Sequence, residues 1–279
     1  MTTTLRPDQP ERHGTGGARS RRYTVCVNSR PVGGIELSAG LRFGVMAGRI
    51  TALEIHEADR RRGRATVAAL AAEEVLRGWG CDEVQVDLAG DATPAQRLAE
   101  TLGYTERNRN MAKPLSGPAP ELPAGSTVRP MTEAEYEVWN EHQTIGYVEG
   151  LVARGVPFAQ ASAQAETEHG AILPDGPRTA GTLLLTLVHG RRDVGILWLR
   201  LRDAADPAVP AWVYSVEVGE EHRGQGHGRT LMLVAERECL DAGVTDLGLN
   251  VFGGNTPALR LYESLRYATT RRYLFKRLL

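Results

Sequence analysis

HRGQGHGRT, residues 222–230, sets Gly224, Gly226 and Gly228 at alternate positions among two histidines and two arginines, directly after the alternating run WVYSVEV (212–218). A strand that runs into a glycine-rich turn and then a helix gathers backbone N–H groups around one concavity, at the positive end of the helix dipole, and so makes a seat for an anion such as a diphosphate. Bare backbone lets the anion reach the main chain, and Arg223 and Arg229 add charge-assisted donors. A glycine-rich turn without chemistry is the bland alternative. The dinucleotide fingerprint G-x-G-x-x-G is not matched, and the Lys-Ser/Thr of a P-loop is absent.

The stretch is one of a pair. Position i resembles position i+163, so that Arg60, Gly63, Pro94, Ala95 and Tyr104 fall on Arg223, Gly226, Pro257, Ala258 and Tyr267; residues 54–104 and 217–267 share 17 identities over 51 ungapped positions. A repeat this long is a duplicated domain rather than a solenoid unit. The junction KPLSGPAPELPAGSTVRP (113–130) is rich in Pro, Gly and Ser, as a linker is.

Working outward in the second half, STVRP reads as a short strand, followed by amphipathic helices over 132–154 and 157–171, with Thr132 as N-cap three residues before Glu135. Strands are expected at 181–188, 194–201 and 211–218, then a helix over 227–242, a strand at 246–252, a helix over 255–265 and a closing strand at 267–277. In the first half YTVCV, GGIEL and ITALEIH read as strands, while the leading strand and the two front helices are missing. The expected division is a disordered polar tail over 1–22, a truncated first domain over 23–115, a linker over 116–125 and a complete second domain over 126–279. Only twelve residues follow Tyr267, too few for two closing strands. The halves, or two copies of the chain as a homodimer, are therefore expected to pair their last strands and cover exposed edges.

Arg223-Gly224-Gln225-Gly226-His227-Gly228 resembles the R/Q-x-x-G-x-G/A signature of the GNAT superfamily of N-acetyltransferases. The likeness extends back to the strand VEV (216–218) and forward through LNVFGGNTPALRLYESLRY (249–267), where Asn255, Ala258 and Tyr262 stand at family positions. The resemblance implies an α/β (α+β) tandem fold, with a mixed, mostly antiparallel sheet flanked by helices and splayed between its fourth and fifth strands. Acetyl-coenzyme A, the co-substrate, would sit in the opening. Val216 and Val218 would pair with its pantetheine arm through backbone groups, and amides from Arg223 to Arg229 would hold its diphosphate.

The resemblance also makes Tyr262 the general acid near the coenzyme sulfur, with aromatic packing as the competing role. Glu217 is a candidate general base, although strand alternation puts it on the face opposite Val216 and Val218; a water-mediated route without any single base is the alternative. Asn250 stands where some relatives carry an acid, and with Asn255 it is a candidate contact to the coenzyme. Trp212 and Tyr214 are pocket walls or core, His222 and His227 flank the loop, and Tyr136, Trp139, Tyr147 and Glu149 are candidates for the acceptor wall. The first half keeps Arg60, Gly63 and Ala65 but has Ala99 for Tyr262 and Ala92 for Asn255. It is expected to hold coenzyme A weakly at most, without catalysis.

The bulk numbers set the frame. The chain has 279 residues, 33 basic and 34 acidic, with 42% hydrophobic and 24% charged residues. That balance gives no global pull towards nucleic acid or anionic membrane. Cys26, Cys81 and Cys239 are widely spaced and odd in number, which favours neither a disulfide framework nor a metal site and fits a cytoplasmic protein. The resulting expectation is acetyl transfer to an amine of a small molecule or peptide, with no metal. A coenzyme A sensor without turnover and an acyltransferase for longer chains are the alternatives.

Overall fold

A computed structural model describes residues 2–42, 45–153, 156–201 and 211–278. The first half forms β1 (Thr3–Pro7), β2 (Arg12–His13), β3 (Arg19–Val27), β4 (Arg30–Arg42), β5 (Val45–Ile55), α1 (Arg64–Gly78), β6 (Glu83–Ala89), α2 (Thr93–Thr101) and β7 (Thr105–Pro114). The second forms β8 (Ser126–Pro130), α3 (Glu133–Val152), α4 (Phe158–Ile172), β9 (Thr182–His189), β10 (Arg192–Arg200), β11 (Ala211–Val218), α5 (His227–Asp241), β12 (Asp246–Phe252), α6 (Thr256–Ser264) and β13 (Ala268–Arg277). Residue 154 of the predicted 132–154 helix lies outside the described residues.

Two expectations fail at the front. Residues 3–22 are not a disordered tail but carry β1, β2 and the start of β3, so the leading strand is present; among the described residues the first half has no front helices. β1 is antiparallel to β3, with Thr3 opposite Val27 and Pro7 opposite Tyr23, as β8 is to β9. Its composition TTLRP hid it, because only Leu5 packs against the core. Edge strands with one buried face and few apolar residues leave a weak pattern.

The compact units also differ from the sequence halves. Unit 1 comprises Met1–Asn108, Leu151–Pro157 and Arg271–Leu279; unit 2 comprises Arg109–Gly150 and Phe158–Thr270. Unit 1's strands run β1-β3-β4-β5-β6-β13, and unit 2's run β7-β12-β11-β10-β9-β8. Each unit therefore takes a strand that follows the other half's last helix. β13 pairs antiparallel with β6, Arg271 opposite Ala89 and Arg277 opposite Glu83, and its Leu274 lies in the unit 1 core with Leu37, Leu76 and Val84. Its repeat counterpart Met111, on β7, lies in the unit 2 core with Leu231, Leu247 and Leu249. The twelve-residue ends are thus used by exchange, and the 23–115 and 126–279 boundaries give way to it.

A charge pair fixes each exchanged strand. Lys276 Nζ lies 2.7 Å from Glu73 on α1, and Lys113 Nζ lies 2.7 Å from Glu236 on α5. Both carboxylates are buried, and each lysine also covers a tyrosine ring, Tyr104 and Tyr267 respectively. Burial pushes both phenols well above the ordinary tyrosine range. Lys113 and Lys276, Glu73 and Glu236, and Tyr104 and Tyr267 are all 163 positions apart, so one cluster is built twice with its lysines traded.

Removing one partner leaves an uncompensated buried carboxylate. Lys276→Met should lower stability by roughly 2–3 kcal/mol in urea unfolding, at or just below the low end for a buried pair because the lysine retains some solvent contact. Adding Glu73→Leu should recover most of that loss. Equal stability of the single variant and the parent would contradict the assignment.

Candidate active site

The site begins where two parallel strands part. Among the described residues β11 pairs with β12 through Ala211–Leu247, Trp212–Gly248 and Val213–Leu249, yet β11 continues to Val218, held on its other side by β10 up to the Gly195–Val218 pair. Tyr214–Val218 therefore run on beyond the last β11–β12 pair. Alternation separates their side chains as expected: Val216 and Val218 pack towards the apolar cluster of α5 and α6, and Glu217 points the other way.

Beyond Val218 the chain makes a short 3-10 turn and enters the loop. Gly224 and Gly226 take φ of 77° and 89°, and Gly226 is the residue from which α5 starts. These left-handed values favour glycine, and a run of such residues turns successive N–H groups inward ahead of the helix. Gly228 supplies close approach instead: a Cβ there would lie 3.3 Å from Leu261 on α6. The flanking side chains brace the loop. Arg223 Nε donates to the Val218 carbonyl at 3.4 Å, Gln225 Nε2 to the Glu221 carbonyl at 3.1 Å, and Arg229 Nη2 to Ser264 Oγ at 2.6 Å.

His227 turns inward. Its ring is 5% exposed and stands 5.1 Å from His189 and 6.3 Å from His222, centroid to centroid. Burial, then its two histidine neighbours, pull its pKa below the ordinary histidine value. Its contribution to an anion seat is thus its main chain.

Tyr262 lies on α6 with 8% of its surface exposed, its ring 6.1 Å from that of Tyr267. Burial raises its pKa, so the phenol holds its proton through the neutral range and can donate it. Glu217 lies across the sheet from it, on the α3 side. Its Oε1 accepts from Trp139 Nε1 at 3.0 Å, Gln143 Nε2 at 2.7 Å and Ser215 Oγ at 2.7 Å. Trp139 and Gln143 are four residues apart on α3, one turn of one helix face, and that spacing was the available signal for a shared polar target. Three donors on one oxygen fix the carboxylate and leave Oε2 directed by them rather than by a partner of its own.

Other candidates have structural work. Asn250 Nδ2 donates to the Arg109 carbonyl and to Asn110 Oδ1 on β7, leaving only its carbonyl oxygen for a ligand. Asn255 Oδ1 accepts from Ala258 N at 3.2 Å and caps α6. Trp139 is 4% exposed and meets Trp198 edge-on, while Trp198 stacks on Tyr214 at 4.7 Å. These aromatics with Tyr136 form a second apolar cluster of unit 2, so the core role wins for Trp139 and Tyr214. Trp212 is only partly exposed. Tyr147 donates to Glu168 on α4 at 2.5 Å, and Glu149 is exposed. The Thr132–Glu135 capping box forms in both directions, with Arg129 and the Thr132 N–H holding Glu135 down at about 2. Among the described residues no group of three or more His, Cys, Asp or Glu side chains is arranged to hold a metal ion.

Unit 1 repeats the backbone. Among the described residues β5 pairs with β6 from Ala47–Glu83 to Arg49–Gln85 and runs on to Ile55; Arg60 Nε donates to the Ile55 carbonyl at 2.8 Å. Arg61 and Gly63 take the left-handed conformation of Gly224 and Gly226, with φ of 58° and 71°. A side chain there is strained by roughly 1–2 kcal/mol, so the loop shape is kept where glycine itself is lost. The side chains differ: Ala99 stands for Tyr262 and Ala92, which forms no cap bond, for Asn255.

The family model for acetyltransferases of the GNAT type matches residues 3–104 and 160–267. A protein of Thermomonospora curvata named mycothiol acetyltransferase is 31% identical over 245 residues, 81% of this chain and 74% of that one. Its namesake in Saccharomonospora viridis is 28% identical over 239 residues, 79% and 71% of the two chains. The crystal structure of a GCN5-related N-acetyltransferase from Sphaerobacter thermophilus superposes with a TM-score of 0.54 at 21% identity, over 91% of this chain and 79% of that one, and shows a shared fold.

Asn255→Ala converts the α6 cap into the alanine that unit 1 already has. It should cost about 1 kcal/mol of stability, read as a shift in the thermal midpoint, and a loss above about 3 kcal/mol would mean that Asn255 does more than cap.

Proposed function

The chain belongs to the GNAT family of acetyltransferases, and from that premise we propose that unit 2 transfers an acetyl group from acetyl-coenzyme A to a primary amine. The observation that carries the reading is that unit 2 alone sets a left-handed glycine loop and a strand parting beside a buried, protonated phenol, whereas unit 1 has Ala99 at that place. An anion seat whose two turning positions are glycines with positive φ fits the coenzyme's diphosphate, and the length of β11 beyond its β12 pairs fits an extended amide-bearing arm.

When bound, acetyl-coenzyme A supplies the acyl group as a thioester. The main-chain N–H groups between Arg223 and Arg229 and the backbone of Val216 and Val218 hold and orient the donor. Tyr262 Oη holds the proton that the departing thiolate needs, and burial keeps it there. Glu217 Oε2 receives the proton of the incoming ammonium, with Trp139, Gln143 and Ser215 fixing the carboxylate through its other oxygen. The bond made is N–C and the bond broken is C–S; of the two protons that the ammonium loses, one passes through Glu217 to solvent and the other replaces the proton that Tyr262 gives to the thiolate.

The acceptor is an amine whose surroundings are set by α3, α4 and β11. Because similar chains carry the name mycothiol acetyltransferase, the acceptor that an enzyme of that name acetylates is the first to assay, followed by aminoglycosides and peptide N-termini. A coenzyme sensor would bind acetyl-coenzyme A and release no thiol with any of them.

Tyr262→Phe should lower kcat by a hundredfold or more, the scale of general-acid catalysis, with the KM for acetyl-coenzyme A little changed. Unchanged kcat would remove Tyr262 from the chemistry. Glu217→Gln should lose most activity at low pH, where the amine is protonated in water, and approach the parent as pH rises towards the amine's own pKa. A parallel drop at every pH would mean that Glu217 only positions α3.

A further inference from the structure

Unit 1 contains a cleft of about 590 Å³ in the opening between β5 and β6, floored by Leu53, Val86 and Leu88 and roofed by α1 and α2, with Arg60 and Arg61 at one end. Its size falls within the range of small-molecule sites. Its character comes from two exchanges between the halves. Met232 and Tyr262 fill the unit 2 core, fully buried and 8% exposed. Their counterparts 163 positions earlier are Ala69 and Ala99, and both line the cleft. Two large side chains have been shortened to methyl groups while the surrounding backbone keeps the same parted strands and loop. The position of a reacting phenol has become apolar space.

The geometry points to a non-catalytic binding site in unit 1 for an aliphatic chain with an anionic end. The chain lies against Leu53, Val86, Leu98, Ala99 and Leu102, and its anionic end faces the loop, where Arg61 and Arg62 are exposed cations and the left-handed residues Arg61 and Gly63 precede α1. Charge and shape agree. A lining that is mostly aliphatic, opened by Ala69 and Ala99, rewards methylene groups; of its two carboxylates, Glu54 and Asp87, the second is paired with Arg49, and the strain retained at Arg61 keeps amides turned towards the mouth. An acetyl group would leave most of the channel empty. The anion at the loop is either the carboxylate of a free fatty acid, whose chain begins there, or the diphosphate of an acyl thioester of coenzyme A, whose pantetheine arm then runs between the loop and the acyl chain.

The test is calorimetric titration of the full chain with acetyl-, butyryl-, hexanoyl- and octanoyl-coenzyme A and with octanoate. The longer thioesters and octanoate are also titrated in the presence of saturating acetyl-coenzyme A, so that unit 2 is occupied. The expected result is one site per chain that tightens about three- to fourfold per added methylene, the value of a buried CH₂. Ala69→Met and Ala99→Tyr, which restore the chain's own second-half residues, should each weaken octanoyl binding at least tenfold and leave acetyl transfer unchanged. Binding of octanoate by itself would identify the carboxylate as the anion; binding of the thioester alone would identify the diphosphate. Affinity independent of chain length, or length dependence that survives both substitutions, overturns the proposal. Should either variant fail to fold by circular dichroism, the chain-length series on the parent protein decides alone.

Discussion

The parting of two parallel strands after three paired residues is the constraint on which the rest of the structure depends. A parallel pair that separates leaves main-chain donors and acceptors facing a cleft, and such groups cost free energy unless something else satisfies them. The fold tolerates this because β11 is secured on its far side by β10 along its length, and β12 is secured by the neighbouring exchanged strand. The Lys113–Glu236 pair, its lysine over the Tyr267 ring, ties that strand to α5, the helix that opens at the glycine loop. Strand, loop and helix are thereby held in place before any ligand arrives. A preorganised seat spares binding energy that ordering a mobile loop would consume.

Duplication shows which parts of this arrangement are backbone and which are chemistry. Both units keep the parting, the arginine that caps the strand end and the two left-handed residues, even where Arg61 must adopt a conformation that glycine adopts freely. They differ in the side chains set on that backbone: a phenol or a methyl at 262 and 99, an amide cap or none at 255 and 92, a thioether or a methyl at 232 and 69. Retained shape with altered lining is what the proposed change of ligand in unit 1 accounts for. A decaying site would be expected to lose the strained loop first, since nothing would repay its cost.

Much of this was legible in the chain. Alternation and helical periodicity placed the elements of the second half within one or two residues, because each has a single buried face and clear breakers at its ends. The glycine loop was readable because its backbone requirement is written in residue identity, and the Thr132–Glu135 box because both partners are local. Strand β1 was not, since an edge strand with one core contact resembles a polar tail. The exchange was not either. Lys113 and Lys276 sit in equivalent patterns, so nothing local says which unit receives which strand; the choice is made by loop lengths and by the whole of two cores. Glu217's donors were half visible: the i, i+4 spacing of Trp139 and Gln143 announces a shared face, but only tertiary packing brings that face to β11.

The arrangement at Glu217 also explains why a carboxylate can serve beside so much aromatic surface. Trp139, Trp198 and Tyr214 form an apolar wall, and a polar group next to such a wall costs free energy unless it is hydrogen-bonded. Three donors converging on one oxygen meet that need. Because all three meet Oε1, orientation is fixed without consuming Oε2. A carboxylate held in that way is more than a surface charge, since its position is set by a helix, a neighbouring strand residue and an indole that cannot rotate out of its packing. The same indole belongs to the core of unit 2, so the site's geometry and the unit's stability are coupled through one side chain.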